Sequence, residues 1–525
     1  MHTGGTLAAN TVSFHRGAGA VLRRVSLSVT VGSRAGLVGP NGIGKTTLLR
    51  ILAGLDEPDE GHVSRRPPSL LVGYLPQEPD VDPAETLVGY LARRTGVAEA
   101  ERAMDAVAAS LHDEPERAEE YTDALESFLV LGGGDLHARA RATLTELGVS
   151  VPLERPVERL SGGEAARVAL AAVLLARFDV YLLDEPTNDL DFDGLERLER
   201  FVRSSRAGFV VVSHDREFLD RTVTRVIALE PGRDEPAVHA GGWSAYEAER
   251  TSARERAARE YERYDEERRR WVDAQRERRQ QARAGGAQAN RRATQALMSK
   301  ARHAARRLER LEENRVEKPW EPWRLELSLA PERRAGDVVV TLARAVVVRG
   351  VFRLGPIDLT IEWGDRVAVV GRNGSGKTTL LEAVLGRVPL AAGSRSVGPS
   401  VVFGEISQRR DLFRSSESLL EIVTAQATIP ADEARALLAK FDLYADHVLR
   451  SAATLSPGER TRAALALEVA RRANCLVLDE PTNHLDVEAI EELEAALAAY
   501  SGTFVLVTHD RRLLEGVAVT RTVTL

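Results

Sequence analysis

The chain is 525 residues long, 43% hydrophobic and 28% charged, with a formal net charge of −7; that length exceeds one ordinary domain, and the composition is that of a globular protein with several cores. Its single cysteine, Cys475, excludes an internal disulfide and any Cys-ligated zinc or iron–sulfur centre. No run approaches the roughly 20 apolar residues that cross a bilayer, and the first residues, MHTGGTLAANTVSF, lack the basic flank and apolar stretch of a secretion signal, so the sequence predicts a cytoplasmic protein.

In chain order, the first strong pattern is an apolar strand, AGLVG, running into GPNGIGKTT and the helical pattern TTLLRIL. That spacing is a phosphate loop: glycines let backbone N–H groups wrap phosphate oxygens at a helix N-terminus, a lysine reaches the β- and γ-phosphates, and a threonine hydroxyl takes magnesium. Its residues are Gly39, Pro40, Asn41, Gly42, Ile43, Gly44, Lys45, Thr46 and Thr47, with Lys45 on the phosphates and Thr46 on the metal. Counting back from Lys45 places Phe14 beneath a base, and counting forward places Gln77 as a magnesium ligand and γ-phosphate sensor.

An acidic, alanine-rich stretch follows, and residues of about 85–130 read as helical, either an inserted arm or an enlarged helical subdomain. Next comes LSGGE, with Ser161, Gly162 and Gly163. The apolar strand Val180 to Leu183 ends in Asp184 and Glu185, where an α/β sheet presents carboxylates to its ligand. Asp184 suits the magnesium shell and Glu185 the attacking water, because phosphoryl transfer demands positioning and charge stabilisation. His214 ends a further apolar strand and is placed on the γ-phosphate.

From Tyr246 to Gln281 there is no glycine or proline, so one helix of roughly 50 Å is expected at about 1.5 Å per residue. RAGGAQAN breaks it, and a second helix should run from about Arg291 to Asn314 before Pro319 and Pro322. Leu297, Ala301, Ala304, Leu308 and Leu311 share a heptad frame with Ala257, Tyr261, Tyr264 and Trp271, which predicts an antiparallel pair. Between Arg268 and Arg310 there are 14 basic and 3 acidic residues, net +11, so the remainder carries −18. A charge run is often only a solvated helix face; this one, with Gln, Asn and Arg side chains and acidic surroundings, fits a phosphate-rich partner better.

The remaining sequence repeats the first part. The interval from Ser161 to Asp184 equals that from Ser456 to Asp479, and the interval from Asp184 to His214 equals that from Asp479 to His509. Lys45 lies farther from Asp184 than Lys377 does from Asp479, so the first copy carries an insertion, nearly all of it between Gln77 and Ser161. The second phosphate loop is Gly371, Arg372, Asn373, Gly374, Ser375, Gly376, Lys377, Thr378 and Thr379. Thr378, Gln408 and Asp479 take the metal roles, LSPGE with Ser456 and Gly458 answers LSGGE, and Glu480 and His509 match Glu185 and His214. Two positions depart. Pro457 removes an N–H near the γ-phosphate although it is tolerated in a first helical turn, and Val346, as far before Lys377 as Phe14 is before Lys45, offers no ring for a base.

LSGGE and LSPGE after phosphate loops resemble the ATP-binding cassette superfamily. This implies a head-to-tail pair, with Ser161 facing the Lys377 site and Ser456 the Lys45 site. Tandem cassettes without a membrane domain, DEPTNHLD, an arm-like insertion and a basic hairpin between the copies resemble the ABC-F family over nearly the whole chain. The resemblance implies an α/β protein with two cassette-type ATPase domains, 1–240 and 331–525, joined by an antiparallel helical hairpin at 241–330. It implies ATP and magnesium at two hydrolysing sites in a monomer whose cassettes pair with each other. Its implied partners are the ribosomal exit site, ribosomal RNA and peptidyl-site transfer RNA, the last reached by the hairpin tip near Arg278 to Arg292. Family members serve as translation factors or in antibiotic resistance, and the sequence leaves both open. The alternative, an ATP-binding subunit of a multicomponent exporter, gives the basic hairpin no task.

Overall fold

In Thr6–Arg16 the apolar residues Leu7, Ala9 and Val12 are buried between more exposed neighbours, as a half-covered antiparallel strand requires. It pairs with Gly19–Thr30 on one side and Glu60–Arg66 on the other. Val180–Asp184 and Gly208–Val212, by contrast, are buried at every residue, the mark of parallel strands covered on both faces. These observations come from a computed structural model, which describes residues 4–525 except 18, 77–81, 83, 112–113, 161, 189, 285–290, 318–335, 351, 407–410 and 484.

Among the described residues the second sheet of the first copy runs in the order Val72–Leu75, Val180–Asp184, Gly208–Val212, Arg34–Val38, Arg225–Ala228, Ala237–Ala240. All neighbours are parallel except the last pair. The second copy repeats the plan. Phe352–Glu362, Val338–Arg349 and Ala392–Val397 form its antiparallel sheet, and Phe403–Ile406, Cys475–Asp479, Thr503–Val507, Arg366–Val370 and Arg521–Thr524 form its parallel one. In both copies the phosphate loop, the Asp-Glu pair and the histidine leave the carboxyl ends of adjacent parallel strands, where an open α/β sheet binds its ligand. The helices Val97–Ser110 and Ala118–Val130 of the first copy pack on each other. The latter buries none of its residues, as in a projecting arm.

The chain divides into two compact units, Met1–Trp243 with Trp323–Leu525, and Ser244–Pro322. The second unit holds helices Trp243–Ala284 and Arg291–Glu313. Trp271 meets His303 edge-on at 6.1 Å, and Arg307 and Arg268 stand 3.7 Å and 3.9 Å from Glu267 and Glu312. Rising numbers on one helix meet falling numbers on the other, which makes the pair antiparallel. Ala304 is fully buried in the seam. The RAGGAQAN break, Pro319 and Pro322 lie largely or wholly outside the described residues.

The copies differ inside. Phe178 fills the space above Gly73, whereas Gly404 faces Ala473 and the Glu468 carboxylate. A cavity of about 340 Å³ opens there, bordered by Leu385, Phe403 and Leu467. Burial pushes the Glu468 carboxyl up to about 7, against the pull of Arg471 at 3.1 Å. A carboxyl that titrates near 4.5 when unfolded and near 7 when folded costs stability as pH rises through that window. Glu468→Gln should therefore melt about 2–4 °C above wild type at pH 8 and no higher than wild type at pH 5. Calorimetry at the two pH values checks it, and an equal gain at both would mean that packing, not charge, is responsible.

Candidate active sites

Each phosphate loop ends on a glycine that starts a helix, Gly44 before Lys45–Ala53 and Gly376 before Lys377–Leu385, with φ of 104° and 103°. Only glycine adopts that conformation without strain. Neither helix has a side-chain cap, so its first N–H groups and the positive end of its dipole are left for an anion. Lys45 Nζ donates to the Gly39 and Pro40 carbonyls at 2.7 and 3.1 Å. Lys377 Nζ donates to the Gly371 and Arg372 carbonyls at 2.9 and 3.3 Å. Both lysines are buried, which lowers their pKa against the opposing pull of Glu185 and Glu480. Such cations gain most from a phosphate brought alongside.

Beside the first loop is a cavity of about 520 Å³ whose wall includes Lys45, Thr46, Asp184, Glu185 and His214. Burial raises the Asp184 and Asp479 carboxyls, while hydrogen bonds from Thr46 and Thr378 oppose the shift. Thr378 Oγ1 donates to Asp479 Oδ2 at 2.9 Å. A desolvated carboxylate beside a hydroxyl is the hard-oxygen donor set that suits magnesium.

Glu185 and Glu480 sit one residue later, at φ 49° and 43°, left-handed conformations that strain a residue with a Cβ. Each is held there by its N–H donating to the next strand, to Val212 and Val507 at 2.9 Å. Burial pushes the Glu185 carboxyl up to about 8, with Lys45 pulling it down. His214 Nε2 stands 3.2 Å from Glu185, and His509 Nε2 stands 3.4 Å from Glu480. Burial, reinforced by the neighbouring lysine, lowers these imidazoles to about 3 and about 4. Both are neutral near pH 7 and can each donate one N–H.

The two sets meet across the cassettes. Asp191, after the first Asp-Glu pair, accepts the Asn373 N–H at 3.0 Å, and Asp486 accepts the Asn41 N–H at 3.2 Å. A side chain on Gly163 would meet Asn373 Cβ at 3.1 Å, so the first signature lies on the second phosphate loop. Arg216 pairs with Glu494 at 2.7 Å, and Arg511 with Glu199 at 2.9 Å.

A family model described as ABC transporter matches residues 22–188 and 354–483. The chain is 36% identical over 513 residues to the tylosin resistance ATP-binding protein TlrC of Streptomyces fradiae, covering 94% of this chain and 92% of that one. It is 32% identical over 518 residues to ABC transporter F family member 2 of Arabidopsis thaliana, covering 94% and 73%. It is 31% identical over 520 residues to the energy-dependent translational throttle protein EttA of Escherichia coli K12, covering 95% and 88%. The chain belongs to the ABC-F family. Like its relatives it binds and hydrolyses ATP. Among the described residues no helix is long and apolar enough to cross a membrane.

One residue that the sequence singled out in this ABC-F chain is not among those bordering the first cavity. Phe14, expected beneath a base, packs against the first core, and Arg16 and Val21 border the cavity instead. The pairing register of that strand shifts on both sides of Phe14. In the second cassette Val346 is buried, while the ring of Phe352 reaches within 2.8 Å of where a Cβ on Gly376 would stand. Ser456 caps the helix Pro457–Ala470, accepting from the Glu459 N–H at 3.2 Å, and Pro457 takes its first turn. Ser161, Gln77 and Gln408 lie outside the described residues. Asp191, Asp486, Phe192 and Arg167 were not singled out; the signal for the aspartates was the repeated final Asp of TNDLD and TNHLD.

The paired arginines give a test of the ABC-F cassette interface. Arg511→Met would leave Glu199 buried with one cation fewer. Losing one partner of such a pair should cost about 1–2 kcal/mol of closure, or roughly tenfold more ATP for half-maximal turnover. Steady-state phosphate release reads this shift, and an unchanged half-saturation would put closure elsewhere.

Proposed function

We propose that this ABC-F ATPase binds the ribosomal exit site with its cassettes closed on ATP and applies its hairpin to peptidyl-site transfer RNA and the peptidyl transfer centre. Hydrolysis then releases it. The observation that carries the reading is the antiparallel helical pair of the second unit, on which Arg268 to Arg310 hold 14 basic and 3 acidic residues. Such a cationic rod in an otherwise acidic chain suits a polyphosphate partner. Support comes also from relatives named for translational throttling and for tylosin resistance, two roles between which we make no choice.

In each site the phosphate-loop N–H groups and Lys45 or Lys377 would hold the β- and γ-phosphates. Glu185 or Glu480 would orient and polarise the attacking water, and neutral His214 or His509 would donate to the γ-phosphate. Thr46 with Asp184, and Thr378 with Asp479, would hold magnesium, joined by Gln77 and Gln408. When bound, that ion supplies charge neutralisation across the phosphates. Closure assembles both sites, and loss of the γ-phosphate removes the contacts that keep them closed.

The reading is tested by sedimenting Glu185→Gln/Glu480→Gln with ribosomes. ATP should carry the protein into the ribosomal fractions and ADP should not; protein left at the top of the gradient with ATP would refute the ribosomal assignment.

A further inference from the structure

The two histidines differ in what packs their rings. The His214 backbone N–H donates to Glu185 Oε2 at 3.2 Å, and its ring Nε2 lies 3.2 Å from Glu185 Oε1 without a hydrogen bond. Neither ring nitrogen of His509 makes a hydrogen bond, although both are buried and Nε2 lies 3.4 Å from Glu480. An imidazole without hydrogen bonds is oriented mainly by packing. The ring that packs it comes from the opposite cassette: Phe192 meets His509 edge-on, with centroids 5.2 Å apart and planes at 74°.

Phe192 is itself fixed at both ends. It follows Asp191, whose carboxylate accepts the Asn373 N–H of the second phosphate loop. The Arg511 guanidinium lies over its ring, 5.6 Å from the centroid, and is held in place by Glu199 at 2.9 Å. One turn of the first cassette therefore grips the second cassette's phosphate loop and packs its histidine. The matching position after Asp486 is Val487, which has no ring. Among the described residues no aromatic ring is paired with His214.

We propose that Phe192 is a positioning residue for hydrolysis at the Lys377 site: it aims the His509 imidazole at the γ-phosphate, and does so only when the cassettes are together. The Lys377 site has its histidine packed by a ring from across the interface, and among the described residues the histidine of the Lys45 site has no such ring. Chemistry at the second site is thereby tied to closure more tightly than at the first. This rests on the assignment of His509 to the γ-phosphate.

The test is a single-turnover quench of magnesium-ATP bound at both sites, comparing Phe192→Leu, which keeps bulk but no ring, with Phe192→Tyr, which keeps the ring. In Phe192→Leu one of two nucleotides per chain should be hydrolysed about tenfold more slowly, with ATP affinity unchanged, and the tyrosine should restore the rate. The slow phase should persist in a Glu185→Gln background and vanish in a Glu480→Gln one. Equal slowing of both phases, no slowing, or identical behaviour of leucine and tyrosine would overturn the proposal. A wild-type rate in His509→Ala would instead remove the assignment beneath it.

Discussion

Glu185→Gln with Glu480→Gln should lower ATP turnover by about 100- to 1,000-fold while ATP still binds, because a positioned general base contributes about that factor. The amide keeps the shape of the carboxylate, and its oxygen can still accept the His214 N–H that Glu185 Oε2 accepts at 3.2 Å. Lys45 and Lys377, the groups proposed to hold the phosphates, are untouched, so affinity has no reason to fall. What the substitution removes is the carboxylate proposed to polarise water, carried on a backbone held at φ 49° and 43°, a strained setting that fold-wide packing maintains. Phosphate release measures turnover, and equilibrium binding of labelled ATP measures affinity. Residual turnover above a tenth of wild type would shift the water-polarising task away from these glutamates.

Those glutamates were legible in the sequence because the chemistry fixes residue type and spacing together. A phosphate loop, a strand ending in Asp-Glu and a strand ending in His carry their context with them, and the duplication showed each twice. The hairpin was legible for a different reason, since the long stretch from Tyr246 to Gln281 without glycine or proline has few alternatives to a helix. Asp191, Phe192 and Arg167 act on partners in the other copy. Asp191 meets Asn373 across 182 positions and Arg167 meets the Asn373 carbonyl at 3.5 Å across 206, and local pattern has no access to such pairings. On a smaller scale, the register shifts beside Phe14 make a count along that strand a poor guide to which residue borders the cavity, where Arg16 and Val21 stand.

The proposed binding of the hairpin to ribosomal RNA predicts a steep salt dependence. If about six or more phosphates are contacted, affinity should fall by roughly 1,000-fold or more between 50 and 200 mM salt, because each neutralised phosphate releases condensed counterions. Arg270, Arg302, Arg306 and Arg310 are exposed on the paired helices, outside the seam in which Ala304 is buried and Trp271 meets His303. Replacing all four with glutamine leaves that seam intact, so helicity by circular dichroism should be unchanged. The slope of log affinity against log salt should flatten by about one for each arginine that contacts phosphate. ATP turnover away from ribosomes should stay at the wild-type level, since these arginines belong to the second unit, which holds none of the candidate nucleotide-site residues. Salt titration of co-sedimentation reads the slope directly. A slope identical to wild type would mean that these four arginines touch no phosphate and that the cassettes supply the electrostatic attachment by themselves.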